Sequence, residues 1–172
     1  MTMPRRSKVP PESGFAKYVD LPGAYFDCYA VEVEGDITLK TYANTFFDTW
    51  LFRLEILILR LFGTANTEPK DREKLADGRS DRFGVWHVDV RTEREMVLNV
   101  GHGPIRTWLW VQPVDTDLSK SLLLFGSAVL PTCASKDDEP RLDFVTRALI
   151  PVHRLYSVLL LRATAKQCGT VS

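Results

Sequence analysis

Residues 95–130 read EMVLNVGHGPIRTWLWVQPVDTDLSKSLLLFGSAVL. Met96, Leu98 and Val100 alternate with Val97 and Asn99, and Ile105, Thr107, Leu109 and Val111 alternate with Arg106, Trp108 and Trp110. Period two in β-forming residues predicts two strands, parted by the turn at Gly101-His-Gly-Pro104. Ser121 to Leu130 is apolar almost without interruption, which predicts a third strand covered on both faces. Just upstream, Phe83 to Arg91 sets Trp86, Val88 and Val90 against His87, Asp89 and Arg91. No link among these four strands is long enough for a helical crossover, so they should form an antiparallel meander.

Working outward, Ala24 to Glu34 predicts a fifth strand, with Tyr25, Asp27, Tyr29, Val31 and Val33 on one face. Thr38 to Phe62 is helical by pattern, since Tyr42, Phe46, Trp50, Leu54, Leu57 and Leu61 recur every three or four residues. Asp36 or Thr38 can cap it. Asn44, Thr45 and Thr49 weaken its middle and admit two helices meeting near Asp48. Thr64 to Arg82 holds five acidic and five basic residues, a solvated connection with room for a short helix near Pro69 to Leu75. A last helix spans Arg141 to Lys166, and Pro151 inside it should kink or split it. Residues 1–17 read as a flexible lead-in and residues 18–168 as a single domain.

The 172 residues carry 22 Lys+Arg and 22 Asp+Glu, a net charge of zero that disfavours general nucleic-acid binding. A hydrophobic share of 45% is too high for a disordered chain. Cys28, Cys133 and Cys168 are odd in number and far apart, which fits reduced thiols better than a disulfide framework or a zinc site. The N-terminal residues lack the apolar run of a signal peptide, and the most apolar stretch, Trp50 to Phe62, is too short to span a bilayer. The expectation is a cytoplasmic protein without membrane insertion. The neutral sum hides unlike regions: Arg141 to Ser172 has five basic residues and one acidic. An anionic ligand near the last helix therefore remains compatible with overall neutrality.

The order strand, helix pair, meander, long helix predicts an α+β fold, an antiparallel sheet of five or more strands wrapped around the C-terminal helix. This order resembles the START-like helix-grip superfamily, in which a curved sheet grips a long helix and leaves a cavity between them. Five strands are fewer than that superfamily usually has. Arg106-Thr-Trp-Leu109, Phe125-Gly-Ser-Ala-Val-Leu-Pro131 and Pro151-Val-His-Arg-Leu-Tyr156 also resemble an uncharacterised bacterial family of START-like domains. That family occurs alone or attached to nucleotide-sugar-epimerase-like modules, and it brings no established activity.

The candidate ligand-binding residues are Trp86, Arg106, Trp108, Trp110, His153 and Tyr156. Large rings can wall a pocket or fill a core. Arg106 shares a face with Trp108 and Trp110, an arrangement that suits an amphipathic anion or a purely stabilising cation–π contact. His153 and Tyr156 share a helical face and either point into a cavity or satisfy the Arg147 carbonyl that Pro151 leaves without its N–H partner. His87 and Asp89, two apart on one strand face, either pair a carboxylate with an imidazole for general-base chemistry or, if Trp86, Val88 and Val90 form the core, face solvent. Ser127 lacks the second glycine of a nucleophile elbow, and neither dinucleotide, P-loop nor zinc-protease motifs occur.

No catalytic residue, metal or cofactor is assigned. The leading expectation is a domain that binds a small hydrophobic or amphipathic molecule between sheet and C-terminal helix. The alternatives are an enzyme of cyclase or dehydratase type using polar cavity residues, and a protein-interaction module with an apolar patch on the Trp50 to Phe62 helix. A homodimer stays open.

Overall fold

The computed structural model describes residues 3–61, 68–101, 103–131, 141–142 and 144–169, with the side chains of 58–61, 69 and 145 outside that description. Among the described residues seven strands form: β1 (Arg5–Arg6), β2 (Tyr25–Glu34), β3 (Arg82–Phe83), β4 (Trp86–Arg91), β5 (Glu95–Val100), β6 (Ile105–Val114) and β7 (Asp117–Val129). The helices are α1 (Leu39–Asp48), α2 (Trp50–Leu61), α3 (Pro69–Ala76) and α4 (Phe144–Cys168). The fold is α+β, one antiparallel sheet in the order β1-β2-β7-β6-β5-β4-β3 with a long C-terminal helix laid across it, a helix-grip-like arrangement. The expected meander is its β7-to-β3 half.

β7 lies between β2 and β6 and pairs with both along most of its length. Successive side chains therefore enter different layers. Leu123 and Phe125 join Tyr29, Val31, Leu109, Met96 and Leu98 under the helices. Leu124 and Ala128 join Cys28, Ala30, Trp108, Trp110 and Val97 on the other face. The expectation that Trp86, Val88 and Val90 share one face needs correction. A bulge between Val88 and Val90 shifts the β4–β5 register. The extra residue turns Val90 to the second layer, while Trp86 and Val88 stay in the first. Arg91 is thereby turned so that its guanidinium donates to the carbonyls of Leu75 and Ser80.

Two helices do meet at Asp48. The Thr38 hydroxyl caps α1 by accepting from the Thr41 amide. Thr49 ends α1, its hydroxyl donating to the Phe46 carbonyl and accepting from the Phe52 amide at the start of α2. The buried Tyr42 hydroxyl donates to the Leu124 carbonyl at 3.1 Å and pins α1 to β7. Asp48 ties α1 to Arg72 of α3, and Lys40 reaches Asp77 at 2.6 Å. α4 continues through Pro151 rather than splitting there. Its second half enters the core with Leu160, Leu161, Ala165 and Cys168.

The second sheet face is covered by residues assigned from sequence to a lead-in. β1 pairs with β2, Arg5 opposite Ala30 and Arg6 opposite Tyr29. The Gly14 amide donates to both carboxylate oxygens of buried Glu95, at 2.8 and 3.1 Å. Phe15 stacks on Trp108 with ring centroids 5.2 Å apart, and Tyr18 packs edge-on to Phe15. The fit depends on Gly126, where an added Cβ would lie 2.7 Å from Trp108 and 3.1 Å from Phe15. Both neighbours are rigid rings in a filled layer, so the clash has no cheap relief. Gly126→Ala is expected to lower stability by ~1–3 kcal/mol in chemical denaturation. An unchanged midpoint would show that the Phe15–Trp108 stack yields freely.

Candidate functional site

Tyr25 and Asp27 occupy alternate positions at the start of β2, on the face that carries Tyr29 and Val31 farther along. Ile150, His153, Arg154 and Ser157 recur at helical spacing on the first half of α4 and share one face. Packing α4 over β2 brings the two sets together.

Asp27 is fully buried, at 0% exposure. Its Oδ2 accepts from the Tyr25 hydroxyl at 2.9 Å and lies 3.5 Å from the Ser157 hydroxyl. Nε2 of His153 is 3.7 Å from the same oxygen. The Tyr25 hydroxyl in turn accepts from Nε of Arg154 at 3.1 Å, and that guanidinium also lies over the Tyr25 ring. Asp27 Oδ1 has no hydrogen-bond partner among the described residues. Burial disfavours the charged carboxylate and raises the Asp27 pKa, opposed first by the charge of His153 and then by the Tyr25 hydrogen bond. Burial also pushes the Tyr25 hydroxyl up to about 12. The result is a buried carboxyl reached through a tyrosine and a histidine.

Two cavities open beside this group. One, about 330 Å³, is lined by Gly23, Ala24, Tyr25, Arg141, Leu142, Arg147 and Ile150. The other, about 230 Å³, is walled by Pro104, Ile105, Val129, Leu149 and Ile150, with Tyr25 and His153 at its polar side. Tyr25 and Ile150 belong to both. The deeper space between sheet and α4 is filled by Tyr29, Phe125, Leu160 and Leu161. The cavities therefore sit at one end of the sheet–helix interface, under the first half of α4.

Of the six residues singled out from sequence, His153 alone lines either cavity. Trp86 is a core residue packed against Phe52 and Phe83. Trp108 and Trp110 lie on the opposite sheet face, and the Trp110 indole donates to Gln112. Arg106 is on that face too, donating to the carbonyls of Gly103 and Ile105, 3.6 Å from Asp89 and over the Tyr18 ring. Tyr156 turns the other way along α4 and donates to Glu55 of α2 at 2.5 Å. Asp89 is exposed, as expected, and accepts from Asn99.

Sequence reading missed Tyr25, Asp27, Arg154 and Ser157. One signal was present: Asp27 is a lone carboxylate between two tyrosines on the apolar face of a strand, a place where a charge must find partners. Cys28 and Cys168 are free and buried, and burial pushes the Cys28 thiol up to about 12, well away from nucleophilic reactivity. Cys133 lies outside the described residues.

No protein-family model matches the chain, and comparison with curated proteins finds no match. Among the described residues no three His, Cys, Asp or Glu side chains gather as a metal site, and no helix is long and apolar enough to cross a membrane.

A carboxyl whose folded pKa is raised keeps its proton in the folded chain where the unfolded chain has lost it. Its contribution to stability therefore falls as pH rises above ~4, the ordinary carboxylate value. Asp27→Asn removes that titration and keeps an oxygen for the Tyr25 hydroxyl. The variant should gain stability over the native chain between pH ~4 and neutrality, read from urea midpoints at both ends. A gap independent of pH would mean that Asp27 titrates normally.

Glu55 is a second such group, raised by burial and held down by the Tyr156 hydroxyl. Tyr156→Phe leaves it without that donor and should cost ~1–3 kcal/mol at neutral pH. The loss should shrink in acid, where Glu55 takes up a proton. An equal loss at both pH values would assign the effect to packing.

Proposed function

We propose that this chain is a START-like binding domain for a small amphipathic molecule, held at the end of the sheet–helix interface. The observation that carries the reading is the pair of adjoining cavities sharing Tyr25 and Ile150. The larger reaches the lower end of the range for small-molecule sites, which starts near 300 Å³. Ile105, Val129, Leu149 and Ile150 offer an apolar wall to a hydrocarbon or ring. Arg147 on the rim of the larger cavity, with Arg154 close by at Tyr25, offers cationic partners to a carboxylate or similar anionic end. The excess of basic residues in Arg141 to Ser172 favours the same ligand polarity.

The site residues proposed are accordingly Tyr25, Arg147, Ile150 and His153. The earlier candidates Trp86, Arg106, Trp108, Trp110 and Tyr156 support the fold around it. A second reading, an enzyme moving protons, is favoured by one contact, the buried Asp27 carboxyl behind His153. A carboxyl in that position orients an imidazole for acid–base work on a bound molecule.

Octanoate, a carboxylate on a short hydrocarbon chain, is a direct probe by titration calorimetry. Binding to a single site is expected. Ile150→Trp, which fills the wall common to both cavities, should abolish it, and Arg147→Gln should weaken it about tenfold, the loss of one charge-assisted contact. Octanoate binding that Ile150→Trp leaves intact would place the ligand elsewhere. Native mass spectrometry of the purified chain, searching for a retained small molecule, tests the same reading without choosing a ligand.

A further inference from the structure

We propose that the outer face formed by α2 and α4 is a docking surface for an anionic lipid bilayer. Trp50, Leu54 and Leu57 recur at i, i+4 and i+7 on α2, and all three are exposed. Val152, Leu155 and Leu159 recur at i, i+3 and i+7 on α4 and are exposed as well. The two helices are joined by the Tyr156–Glu55 bond, which falls midway along both stripes. Side chains this apolar, arranged in two rows on adjoining helices, form the kind of patch that marks an interaction site. A tryptophan among leucines suits the boundary between headgroups and acyl chains.

Charge selects the occupant. On α4 the exposed Arg162 and Lys166 follow Leu155 and Leu159 at i+7, and the helix has no acidic residue. Two acidic groups beside the face, both among the described residues, are engaged. Glu55 is held by Tyr156, and burial favours its uncharged form. Asp48 is bonded to both Arg53 and Arg72. A second copy docking through this face would bring one acid-free basic helix against another, whereas an anionic bilayer matches both the apolar rows and the surrounding cations. Phe144 and Leu149 at the start of α4 are exposed beside the same helix, so a docked chain would bring the cavity end close to the lipid. The inference does not depend on the ligand proposed above, because it rests on the outer face of α4 rather than the inner one.

The chain carries its own reporter. Trp50 is 64% exposed, whereas Trp86, Trp108 and Trp110 are 1%, 0% and 7% exposed. Fluorescence changes at the surface therefore report Trp50. Vesicles of phosphatidylcholine and phosphatidylglycerol in equal parts should shift its emission to the blue and protect it from acrylamide, and brominated acyl chains should quench it. Pure phosphatidylcholine vesicles should bind far less. Leu54→Ser with Leu155→Ser should weaken binding about a hundredfold, roughly tenfold for each leucine whose apolar area is no longer buried. Both leucines are exposed, so the pair should keep the native circular dichroism, and that spectrum checks it. Arg162→Glu with Lys166→Glu should reduce the preference for phosphatidylglycerol about fivefold per residue. An emission that neither vesicle changes overturns the proposal. So does a dimer by size exclusion whose Trp50 is already shielded from acrylamide, since a second copy would then own the face.

Discussion

β7 must be covered on both faces, and the rest of the molecule is arranged to meet that demand. Leu123 and Phe125 point one way, Leu124 and Ala128 the other, and each set removes apolar area from water only if another layer arrives. Helices supply one layer. The segment from Arg5 to Tyr18 supplies the other, which makes a stretch resembling a tail part of the core. Gly126 fixes how close that second layer comes, because its missing side chain is where Trp108 and Phe15 meet.

The same sandwiching explains why the polar site lies where it does. Along most of β2 the space under α4 is packed solid by Tyr29, Phe125 and Leu161. Toward Tyr25 the packing loosens into the two cavities. There the chain places a carboxyl whose pKa burial raises, and surrounds it with a phenol, an imidazole and a hydroxyl. Unsatisfied burial of Asp27 would be costly. Its partners come from β2 and α4, so the polar group also fixes how the first half of α4 sits on the sheet. The outer side of α4 meets α2 through the Tyr156–Glu55 bond and otherwise keeps exposed apolar side chains. Val152 and Leu155 stay in water while Ile150 and Ser157 face inward, and this contrast across one helix sets two surfaces of different chemistry back to back.

Much of the fold was legible because periodicity is a local property. Met96, Leu98 and Leu109 alternate as a pleated sheet requires, and Thr38 and Thr49 mark helix ends by the hydrogen bonds their hydroxyls make. The bulge at Val88–Val90 was not legible. Nothing in the alternation of Trp86, Val88 and Val90 signals an extra residue, since register is settled against β5 and not within β4. The short strand β1 escaped for a similar reason, since two residues carry no period; Phe83 reads as continuous with β4, whereas β3 folds back to pair with it.

The candidate site divides along the same line. His153 could be named from sequence because a polar ring on an apolar helix stands out. Its partner could not, because Asp27 lies 126 positions earlier in the chain and only the packing of α4 over β2 joins them. Trp108 and Trp110 could wall a pocket or fill a core, and they belong to the face closed by Phe15. Sequence determined which residues form strands and helices and that β7 needs two covers, since hydrophobic pattern and capping act over a few residues. Tertiary structure alone decided which layer each face meets, where the packing leaves space and which charges share it, because those depend on contacts between segments that no local pattern encodes.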